Sequence, residues 1–465
     1  MVLFSVLAVL TICFASACGT EILIIALCAI CNILYYRRWV NCKEWGFDGI
    51  LLLVRYSTLF AKSFKSVPKD EVAINAKYLI QGGFIDKLMS GSYTILPLGK
   101  RVLRKIEQII REEMDATGAQ EMLMPLLHPK EIWNETGRWD SAREVMYQFE
   151  KDEKEYALSF THEEIALDVV RKHVSSYKDF PVKIYHFSTK FRNELRAKSG
   201  ILRGREFIMK DLYSLHVTEG DMNEYYDAVK DAYLRIFKRA GFDAKVVEAA
   251  GGVFTENRTH EFQVFCETGE DTIYYCERCD FAQNKEIVEV KDGDKCPKCG
   301  RGKVEATKAV EVGNIFRFGK IYSKKMNVVY SGKDGQREYP YLGSYGIGLT
   351  RLMGVAVELF HDDRGIIWPE AIAPYRVYLT GIMNHDVPGI MNRAEEVYKK
   401  LSGAGVEVLF DDRDLSAGEK FATCDLIGIP IRLVVSAKTG GQIEFKERGS
   451  RETKLLSFEE ICLHI

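Results

Sequence analysis

The chain has 465 residues, of which 47% are hydrophobic and 28% are charged. This is the composition of an ordinary soluble protein with roughly two to four domains. The formal net charge of −2 excludes a bulk polycation, so any contact with nucleic acid must rest on local basic patches.

The first 53 residues differ from the rest. Residues 2–36 carry one charge, Glu21, and four of the twelve cysteines. Glu21 divides this segment into two apolar runs, each at or below the roughly 18 residues that a membrane span needs. Three interpretations remain open: a membrane anchor, a cleaved signal, or residues upstream of the true start. We favour the third and expect a cytoplasmic protein, because the pattern of a soluble domain begins abruptly at Val54.

A long amphipathic helix is predicted over residues 99–117. Its apolar side chains recur at the three- and four-residue spacing of one buried stripe, at Val102, Leu103, Ile106, Ile109, Ile110 and Met114. Gly118 ends the helix, and a strand over residues 120–124 follows before Pro125. The pattern alone fits an ordinary core and also a dimer-forming unit.

Residues 157–166 pass from a strand into a helix through Thr161, His162, Glu163 and Glu164. Thr161 is a suitable N-cap, and Glu164 lies three residues later, as a capping box requires. Capping leaves Glu163 unexplained. A carboxylate at this position is a candidate acceptor for a substrate ammonium group.

Residues 187–216 place four arginines between two strand-like apolar runs and predict a hairpin that holds a polyanion. Arg192 and Glu194 are two residues apart, so on a strand both side chains leave by the same face. Residues 196–205 form a basic loop, and Phe207 follows on the return strand. The alternative is a solvated basic hairpin.

An amphipathic helix over residues 221–240 is followed by a glycine-bearing loop, residues 249–259, and then by His260 and Glu261. A single histidine is more often structural than catalytic. The loop setting and the adjacent carboxylate make His260 a candidate site residue.

Two CxxC pairs, separated by sixteen residues, lie at Cys276, Cys279, Cys296 and Cys299. This spacing suits four thiolates around a tetrahedral zinc ion, and four thiolates leave no open position for catalysis. Two disulfides are the alternative, but the rest of the composition is cytosolic. The sequence therefore predicts a structural zinc knuckle.

Two predicted elements complete the central region. Residues 310–318 read as a strand, and residues 343–351 as a strand that breaks into a helix at a glycine-rich turn. Glycines allow close approach of a ligand to the backbone, and Arg351 can reach a phosphate from the first turns of the helix. Residues 368–374 are typical of a linker, and the segments beyond it alternate between strand and helix as in a small α/β domain.

Together these segments resemble the class II aminoacyl-tRNA synthetases, and within them the prolyl-tRNA synthetases of the bacterial type. The resemblance covers the chain from about Arg55 to its end. It rests on THEE, SSYKDFP, KFRNELR, REFIMKDLYSLH, HEF and GSYGIGLTR, which begin at residues 161, 175, 190, 205, 260 and 343 in the family's order.

The resemblance implies an α+β fold, with an antiparallel class II sheet flanked by helices. It implies a catalytic domain at residues 54–370, with the knuckle inserted at 275–302, and an anticodon-binding domain at 371–465. The helix and strand before Pro125 match the family's first motif, which implies a homodimer. The implied reaction is activation of L-proline with ATP and transfer of the prolyl group to tRNA(Pro).

Site roles follow from the same resemblance. Arg192 would hold the ATP α-phosphate and the prolyl carboxylate, and Glu194 the adenine amino group. Phe207 and Arg351 would cover the two adenine faces, with Arg351 also at the γ-phosphate. The arginines up to Arg203 would contact ATP or pyrophosphate, the tRNA acceptor end, or only water.

The resemblance also supplies the remaining sites. Thr161 and Glu163 would bind the proline imino group. The walls of the proline pocket would be Met209, Asp211, Tyr213 and His260. The Mg²⁺ ligands would be Glu311 and Asn314. The anticodon contacts would be Arg413 and Lys420.

Three departures from the family pattern matter. About thirty residues around the cysteines replace the large insertion that removes alanine from mischarged tRNA, so we expect no editing in cis and a separate deacylase in trans. The loop at residues 251–259 is longer than usual. Ser344 stands where many relatives have cysteine, which argues against a thiol role there.

Two rival functions remain. One is a class II synthetase for threonine or serine, against which the THEE and HEF segments argue. The other is a non-catalytic, synthetase-like protein that only binds RNA. Such a protein is expected to have lost Arg192 or Arg351, and both are present.

Overall fold

The computed structural model describes residues 54–64, 71–195, 199–252, 258–384 and 386–465. The predicted hydrophobic extension at 1–53, residues 196–198 of the predicted basic loop and most of the long loop at 251–259 lie outside the described residues. Among the helices that are described, none combines the length and apolar character needed to cross a bilayer.

The described helices are α1 Ile74–Gln81, α2 Pro97–Ala116, α3 Lys130–Thr136, α4 Arg138–Ser141, α5 Glu163–His173, α6 Glu219–Arg239, α7 Ile321–Lys325, α8 Leu349–Leu359, α9 Ile390–Gly403, α10 Ala417–Ile427 and α11 Phe458–His464.

The described strands are β1 Val54–Arg55, β2 Ile85–Met89, β3 Ser92–Ile95, β4 Gln120–Glu121, β5 Leu127–Pro129, β6 Gln148–Lys151, β7 Lys154–Leu158, β8 Val182–Phe191, β9 Glu206–His216, β10 Ala244–Ala249, β11 Thr259–Phe265, β12 Asp271–Cys276, β13 Ala282–Asn284, β14 Val304–Gly319, β15 Tyr330–Ser331, β16 Arg337–Glu338, β17 Tyr341–Gly348, β18 His361–Asp362, β19 Gly365–Ile366, β20 Val377–Ile382, β21 Val408–Asp411, β22 Ile431–Ser436, β23 Ile443–Glu447 and β24 Lys454–Leu456.

A nine-stranded sheet in the order β11-β10-β13-β12-β14-β17-β9-β8-β4 forms the centre of the region that was predicted to be the catalytic domain. The pairings β8–β9, β9–β17 and β17–β14 are antiparallel, which confirms the predicted α+β class and the predicted hairpin. The β9–β17 pairing brings segments that are more than a hundred residues apart in sequence side by side.

Side chains alternate between the two faces of this sheet. On one face, Leu212, Tyr345 and Ile315 are fully buried against the helices. The apolar stripe of α2 contributes to the same cluster, and all six of its predicted residues are buried, as the sequence predicted. On the other face, Tyr213 and Phe316 pack in a second cluster with Phe160 and residues of α3 and α5.

The C-terminal region forms a six-stranded sheet in the order β1-β21-β20-β22-β23-β24. The β20–β21 and β20–β22 pairings are parallel, as expected for the predicted α/β alternation. The edge strand β1 comes from the start of the described chain and pairs in parallel with β21. This crosses the predicted domain boundary, because residues assigned to the catalytic domain complete the sheet of the C-terminal domain.

Polar contacts fix β1 in that position. Arg55 donates two hydrogen bonds from Nη2 to Glu395, at 2.6 and 2.8 Å. Asp412 accepts from the backbone nitrogen of Ser57 at 2.9 Å and from its hydroxyl at 2.6 Å. Tyr56 is fully buried and lies under the guanidinium of Arg413, 3.8 Å from ring centroid to Cζ.

We expect Tyr56→Ala to reduce the free energy of unfolding by about 3–5 kcal/mol, because it leaves a cavity beneath Arg413 and detaches the edge strand. Urea unfolding monitored by fluorescence measures this. The matched control is Phe60→Ala, since Phe60 is 74% exposed and its loss is expected to cost at most about 0.5 kcal/mol. Equal effects of the two substitutions would contradict a structural role for β1.

Candidate active site

The hairpin of β8 and β9 sets the position of Arg192. The strand pairing ends at Phe191 and Glu206, and the backbone nitrogen of Arg192 adds one more bond, 2.9 Å to the carbonyl of Arg205. The guanidinium donates from Nε to the carbonyl of Phe160 at 3.3 Å, and Cζ lies 5.3 Å from the ring centroid of Phe207. Arg192 and Phe207 therefore share one wall of a cleft, across the two strands.

Glu194 does not lie on the strand, so the prediction that it leaves by the same strand face as Arg192 is wrong. The chain turns after Phe191, and the Glu194 carboxylate accepts a hydrogen bond from Nε of Arg203 at 2.8 Å. Arg203 also pairs with Glu270. This ion-pair network forms the rim of the cleft.

Residues of the β8–β9 hairpin, of β14 and of the junction between β17 and α8 line the cleft. Most of the side chains that were predicted to contact ATP or Mg²⁺ line it. The predicted site residues that line the cleft are Arg192, Glu194, Arg203, Phe207, Met209, Glu311, Asn314 and Arg351.

Arg351 approaches the cleft from the first turn of α8, where β17 breaks into the helix as predicted. Its Nε donates to the carbonyl of Leu202 at 2.9 Å, and Nη1 donates to the carbonyl of Glu311 at 2.7 Å. Burial lowers the pKa of Arg192, and the positive charge of Arg351 acts in the same direction. Two arginines in one cleft, with the charged form of Arg192 disfavoured, indicate a site for an anion.

Gly346 keeps the floor of the cleft open. A Cβ atom there would lie 3.0 Å from both Oδ1 of Asn314 and Cε of Met209. Any larger residue would displace these two lining side chains. Close approach of the backbone to a ligand is the reason for glycine at this position.

Glu311 and Asn314 have the oxygen donors that Mg²⁺ prefers. The Asn314 amide donates from Nδ2 to Oε1 of Glu311 at 2.8 Å, so its Oδ1 remains available as an acceptor toward the cleft. Glu261 lies opposite Asn314 in the β11–β14 register. Burial and the nearby Glu311 carboxylate raise the pKa of Glu261 to about 8.

Glu163 is held by three donors at the other end of the site. Thr161 donates its hydroxyl to Oε2 at 2.6 Å, and Arg138 donates from Nη1 to the same oxygen at 3.1 Å. Ser344 donates its hydroxyl to Oε1 at 3.1 Å. The structure therefore brings Thr161 and Glu163 together, as expected for a shared binding role.

The capping-box prediction is wrong. Helix α5 begins at Glu163, its N-cap is His162, and that side chain makes no capping hydrogen bond. The Glu164 carboxylate turns inward and accepts from Nη1 of Arg138 at 3.0 Å and from the Thr136 hydroxyl at 2.7 Å. Tertiary ion pairing outcompetes the local cap, because a buried carboxylate needs a partner.

Met209, Asp211 and Tyr213 alternate along β9 and share the face of the sheet that carries Ser344. Their common face agrees with the predicted pocket wall. The Tyr213 hydroxyl accepts from the backbone nitrogen of His162 at 3.1 Å.

A buried lysine neutralises Asp211. Nζ of Lys190 pairs with the Asp211 carboxylate and lies 3.0 Å from Nδ1 of His162 and 3.3 Å from Nε2 of His186. Burial raises the pKa of Asp211, but the ammonium outweighs this effect and the net shift is downward. His162, His186 and Asp211 have the donor set of a metal site, but the ammonium of Lys190 already supplies the cation between them.

His260 does not join the site. It lies on strand β11 rather than on a loop, and its Nδ1 is 2.7 Å from the Tyr226 hydroxyl, on the face that α6 covers. The strand alternation that turns Glu261 toward Asn314 turns His260 away from it. The structural interpretation of this histidine replaces the predicted pocket role.

The two predicted anticodon contacts are also engaged internally. Lys420 is 1% exposed, and its Nζ donates to the carbonyl of Gly381 at 2.9 Å. Arg413 donates from Nη2 to Asp411 at 2.7 Å and covers the Tyr56 ring. These side chains stabilise the C-terminal sheet, and the structure does not present Lys420 to a ligand.

The four cysteines of the predicted knuckle converge. All four sulfur atoms lie within 4.8 Å of one another, with 3.8 Å between Cys276 and Cys299 and 3.6 Å between Cys279 and Cys296. These separations exclude disulfides in this arrangement. A zinc–sulfur bond of about 2.3 Å in a tetrahedron gives sulfur atoms about 3.8 Å apart, so the donors fit a zinc ion.

Comparison with known proteins agrees with this geometry. Residues 147–360 match a profile described as the tRNA synthetase class II core domain (G, H, P, S and T), and residues 379–463 match an anticodon binding domain. A proline–tRNA ligase of Wolbachia pipientis wMel is 39% identical, covering 88% of this chain and 99% of the relative. The chain belongs to the proline–tRNA ligase family.

A second proline–tRNA ligase, from Halothermothrix orenii, is 32% identical and covers 88% of this chain and 98% of the relative. That alignment runs over 558 positions, compared with 426 for the Wolbachia relative. The longer alignment shows that family members differ by a large insertion. This chain has the shorter form, consistent with the predicted lack of an editing insertion.

Solved structures of the family share the fold. Prolyl-tRNA synthetase from Giardia lamblia, in complex with prolyl-adenylate, superposes with a TM-score of 0.69 at 21% identity, covering 83% of this chain and 74% of its own. The enzyme from Cryptosporidium parvum, complexed with halofuginone and AMPPNP, gives a TM-score of 0.69 at 18% identity, covering 83% and 75%.

The sequence interpretation did not identify Arg138, Lys190 or Glu261 as part of the site. Arg138 follows Gly137 at the start of a four-residue helix, where an arginine is ordinarily exposed. Lys190 is one of several lysines in a basic hairpin. For Glu261, the alternation of side chains along β11 was the one signal available in the sequence, because it places Glu261 and His260 on opposite faces of the strand.

The raised pKa of Glu261 predicts a pH-dependent stability. Between its ordinary value and about 8, the folded state binds more protons at this group than the unfolded state, so the contribution of Glu261 to stability is lost as the pH rises to about 8 and changes little above it. Without divalent cations, Glu261→Gln is expected to reduce the fall in Tm between pH 6 and pH 9. Calorimetry measures this, with the exposed Glu267→Gln as the control. If Tm falls by the same amount in the Glu261→Gln variant as in the unsubstituted chain, the raised pKa assigned to Glu261 is wrong.

Proposed function

We propose that this chain activates L-proline with ATP and transfers the prolyl group to tRNA(Pro). The convergence of Arg192 and Arg351 on one cleft, with the Glu163 carboxylate at its far end, is the observation that carries this proposal. Anionic phosphates and a cationic imino group require charges of these signs at the two ends of one site. Membership of the proline–tRNA ligase family supports the same reaction.

In the first half-reaction, a carboxylate oxygen of proline attacks the α-phosphorus of ATP. A new phosphorus–oxygen bond forms, and the bond to the β-phosphate oxygen breaks as pyrophosphate leaves. Arg192 stabilises the charge that accumulates on the α-phosphate and orients the carboxylate, while Arg351 holds the triphosphate tail. This chemistry depends on positioning and charge stabilisation rather than on a strong general base.

The adenine lies between Phe207 and Arg351, and Glu194 accepts from its exocyclic amino group. Glu194 and Arg203 form an ion pair in the protein alone, so ATP must share or replace this contact. The exposed Arg203 is free to turn toward the phosphates, since a surface ion pair contributes little stability.

The imino group of proline donates to Glu163 and Thr161. Met209, Asp211 and Tyr213 provide the wall against the pyrrolidine ring. Because Lys190 neutralises Asp211, Glu163 is the anionic acceptor for the substrate cation.

Mg²⁺ bound at Glu311 and Asn314 would neutralise the phosphate oxygens. Zinc bound at Cys276, Cys279, Cys296 and Cys299 would be structural. The knuckle supports strand β13, whose Asn284 donates to Glu261 at 3.3 Å. A folded knuckle therefore supports the wall behind the Mg²⁺ ligands.

We further propose a homodimer that acts in the cytoplasm. The side chains of Leu123 and Leu127, 79% and 52% exposed, follow α2 in the chain, and the family's first motif in this part of the chain is expected to form the interface. Residues 371–465 read the anticodon, together with the edge strand β1. A separate deacylase clears alanyl-tRNA(Pro), since residues 275–302 are too short for an editing domain.

Pyrophosphate exchange tests the function. The purified chain is expected to exchange pyrophosphate into ATP with proline and not with threonine or serine. Exchange that depends on threonine or serine would replace the proposal by the rival specificity, and no exchange with any amino acid would favour the non-catalytic interpretation.

Arg192→Lys is expected to lower kcat/KM for exchange by at least about 100-fold, because a lysine cannot reproduce the planar fork that binds phosphate and carboxylate together. Arg111→Lys is the matched control, since Arg111 forms its ion pairs with Glu107 and Glu121 on the outer side of α2. A loss of less than about threefold in the Arg192 variant would contradict its assigned role.

Metal analysis tests the knuckle. The purified protein is expected to contain about one zinc ion per chain, and Cys296→Ser is expected to lose the metal and lower Tm by several degrees. Cys462→Ser, outside the cluster, serves as the control. Full metal content in the Cys296 variant would exclude this site.

A further inference from the structure

A buried arginine lies behind the proposed proline site. Arg138 is 6% exposed, and its guanidinium contacts both Glu163 and Glu164. Its Nη1 is 3.1 Å from Oε2 of Glu163 and 3.0 Å from Oε2 of Glu164. One cation therefore bridges two neighbouring carboxylates that are themselves almost completely buried.

The surroundings of Arg138 are aromatic. Its Cζ lies 4.9 Å from the ring centroid of Phe160, 5.3 Å from that of Tyr322 and 5.7 Å from that of Trp133. In such a setting water does not screen the charges, and each ionic contact is stronger than at the surface. Burial opposes the charge of Arg138, but the carboxylates of Glu164 and Glu163 outweigh it and raise the pKa of the guanidinium.

Among the residues that the structure describes, Arg138 is the one cation within salt-bridge distance of the two carboxylates. Burial, opposed by Arg138 but reinforced by the neighbouring Glu163, raises the pKa of Glu164. The remaining donors, the hydroxyls of Thr136, Thr161 and Ser344, are neutral. A second positive charge next to Glu163 would balance the cluster.

We propose that Arg138 and Glu164 are positioning residues that adapt Glu163 to a substrate carrying a secondary ammonium group. Arg138 fixes the carboxylate of Glu163, and Glu164 takes up the charge of Arg138 so that Glu163 keeps an uncompensated negative charge for the ligand. Neither residue touches the substrate. This inference rests on the proposed function, because Glu163 must accept from the proline imino group.

Substituting Glu164 tests the charge balance. Glu164→Gln keeps the shape and the hydrogen bond from Thr136 but leaves Arg138 to neutralise Glu163. We expect KM for proline to rise about tenfold or more, the effect of weakening one charge-assisted hydrogen bond. KM for ATP and kcat at saturating proline are expected to stay within about twofold of the unsubstituted chain.

Substituting Arg138 tests the positioning. Arg138→Met is expected to raise KM for proline about tenfold or more, and Arg138→Lys to give an intermediate value, because lysine restores the charge without the planar fork. The control is Arg171→Met on α5, the helix that carries Glu163 and Glu164, because the ion pairs of Arg171 with Glu135 and Asp168 are partly exposed to solvent. Melting temperatures of all variants identify any that fail to fold.

An analogue of proline with oxygen in place of the ring nitrogen separates charge from shape. Tetrahydrofuran-2-carboxylate lacks the ammonium group, so its inhibition constant is expected to be the same for the Glu164→Gln variant and the unsubstituted chain. Equal losses for proline and the analogue would mean that Glu164 only shapes the pocket, and would overturn the proposal. An unchanged KM for proline in both the Glu164 and Arg138 variants would also overturn it.

These outcomes are distinct from a failure of the proposed function. If the unsubstituted chain shows no proline-dependent exchange, the reaction itself is wrongly assigned. If the unsubstituted chain is active and the variants match it, only the inference about Arg138 and Glu164 fails.

Discussion

The antiparallel pairing of β17 between β9 and β14 is the constraint on which the site depends. It places the start of α8, and with it Arg351, beside the hairpin that carries Arg192. The same pairing aligns Ser344 with Tyr213 and Asn314 with Gly346. Because strand register is fixed by backbone hydrogen bonds across the whole sheet, a slip of one residue would turn these side chains to the helix-covered face.

Charge is distributed along the site in two regions. Arginines predominate where phosphates are expected, and the carboxylate of Asp211 on β9 is neutralised by Lys190. At the other end, the carboxylate of Glu163 accepts hydrogen bonds from neutral hydroxyls and pairs with Arg138. The guanidinium of Arg138 also pairs with Glu164. Buried ions of either sign are costly unless they are paired, so this separation requires the internal counterions that the structure contains.

Sequence patterns predicted the elements well where periodicity was long. The stripe of α2, the β8–β9 hairpin and the strand-to-helix turn before Arg351 were all predicted. The predictions failed where a local rule competed with a tertiary contact. Thr161 and Glu164 satisfy a capping pattern, but Arg138 and Thr136 provide stronger partners. Lys420 was expected to contact the anticodon, but it is buried and donates to the carbonyl of Gly381.

The amino-acid sequence by itself determined the family, the fold class, the four-cysteine cluster and most of the residues that line the cleft. These depend on local spacing and on motifs that are continuous in the chain. Only the tertiary structure decided that β1 completes the C-terminal sheet, that His260 faces away from the site, and that Arg138 lies behind Glu163. Each of these depends on contacts between distant segments, and sequence spacing carries no information about which charged groups burial will force to pair.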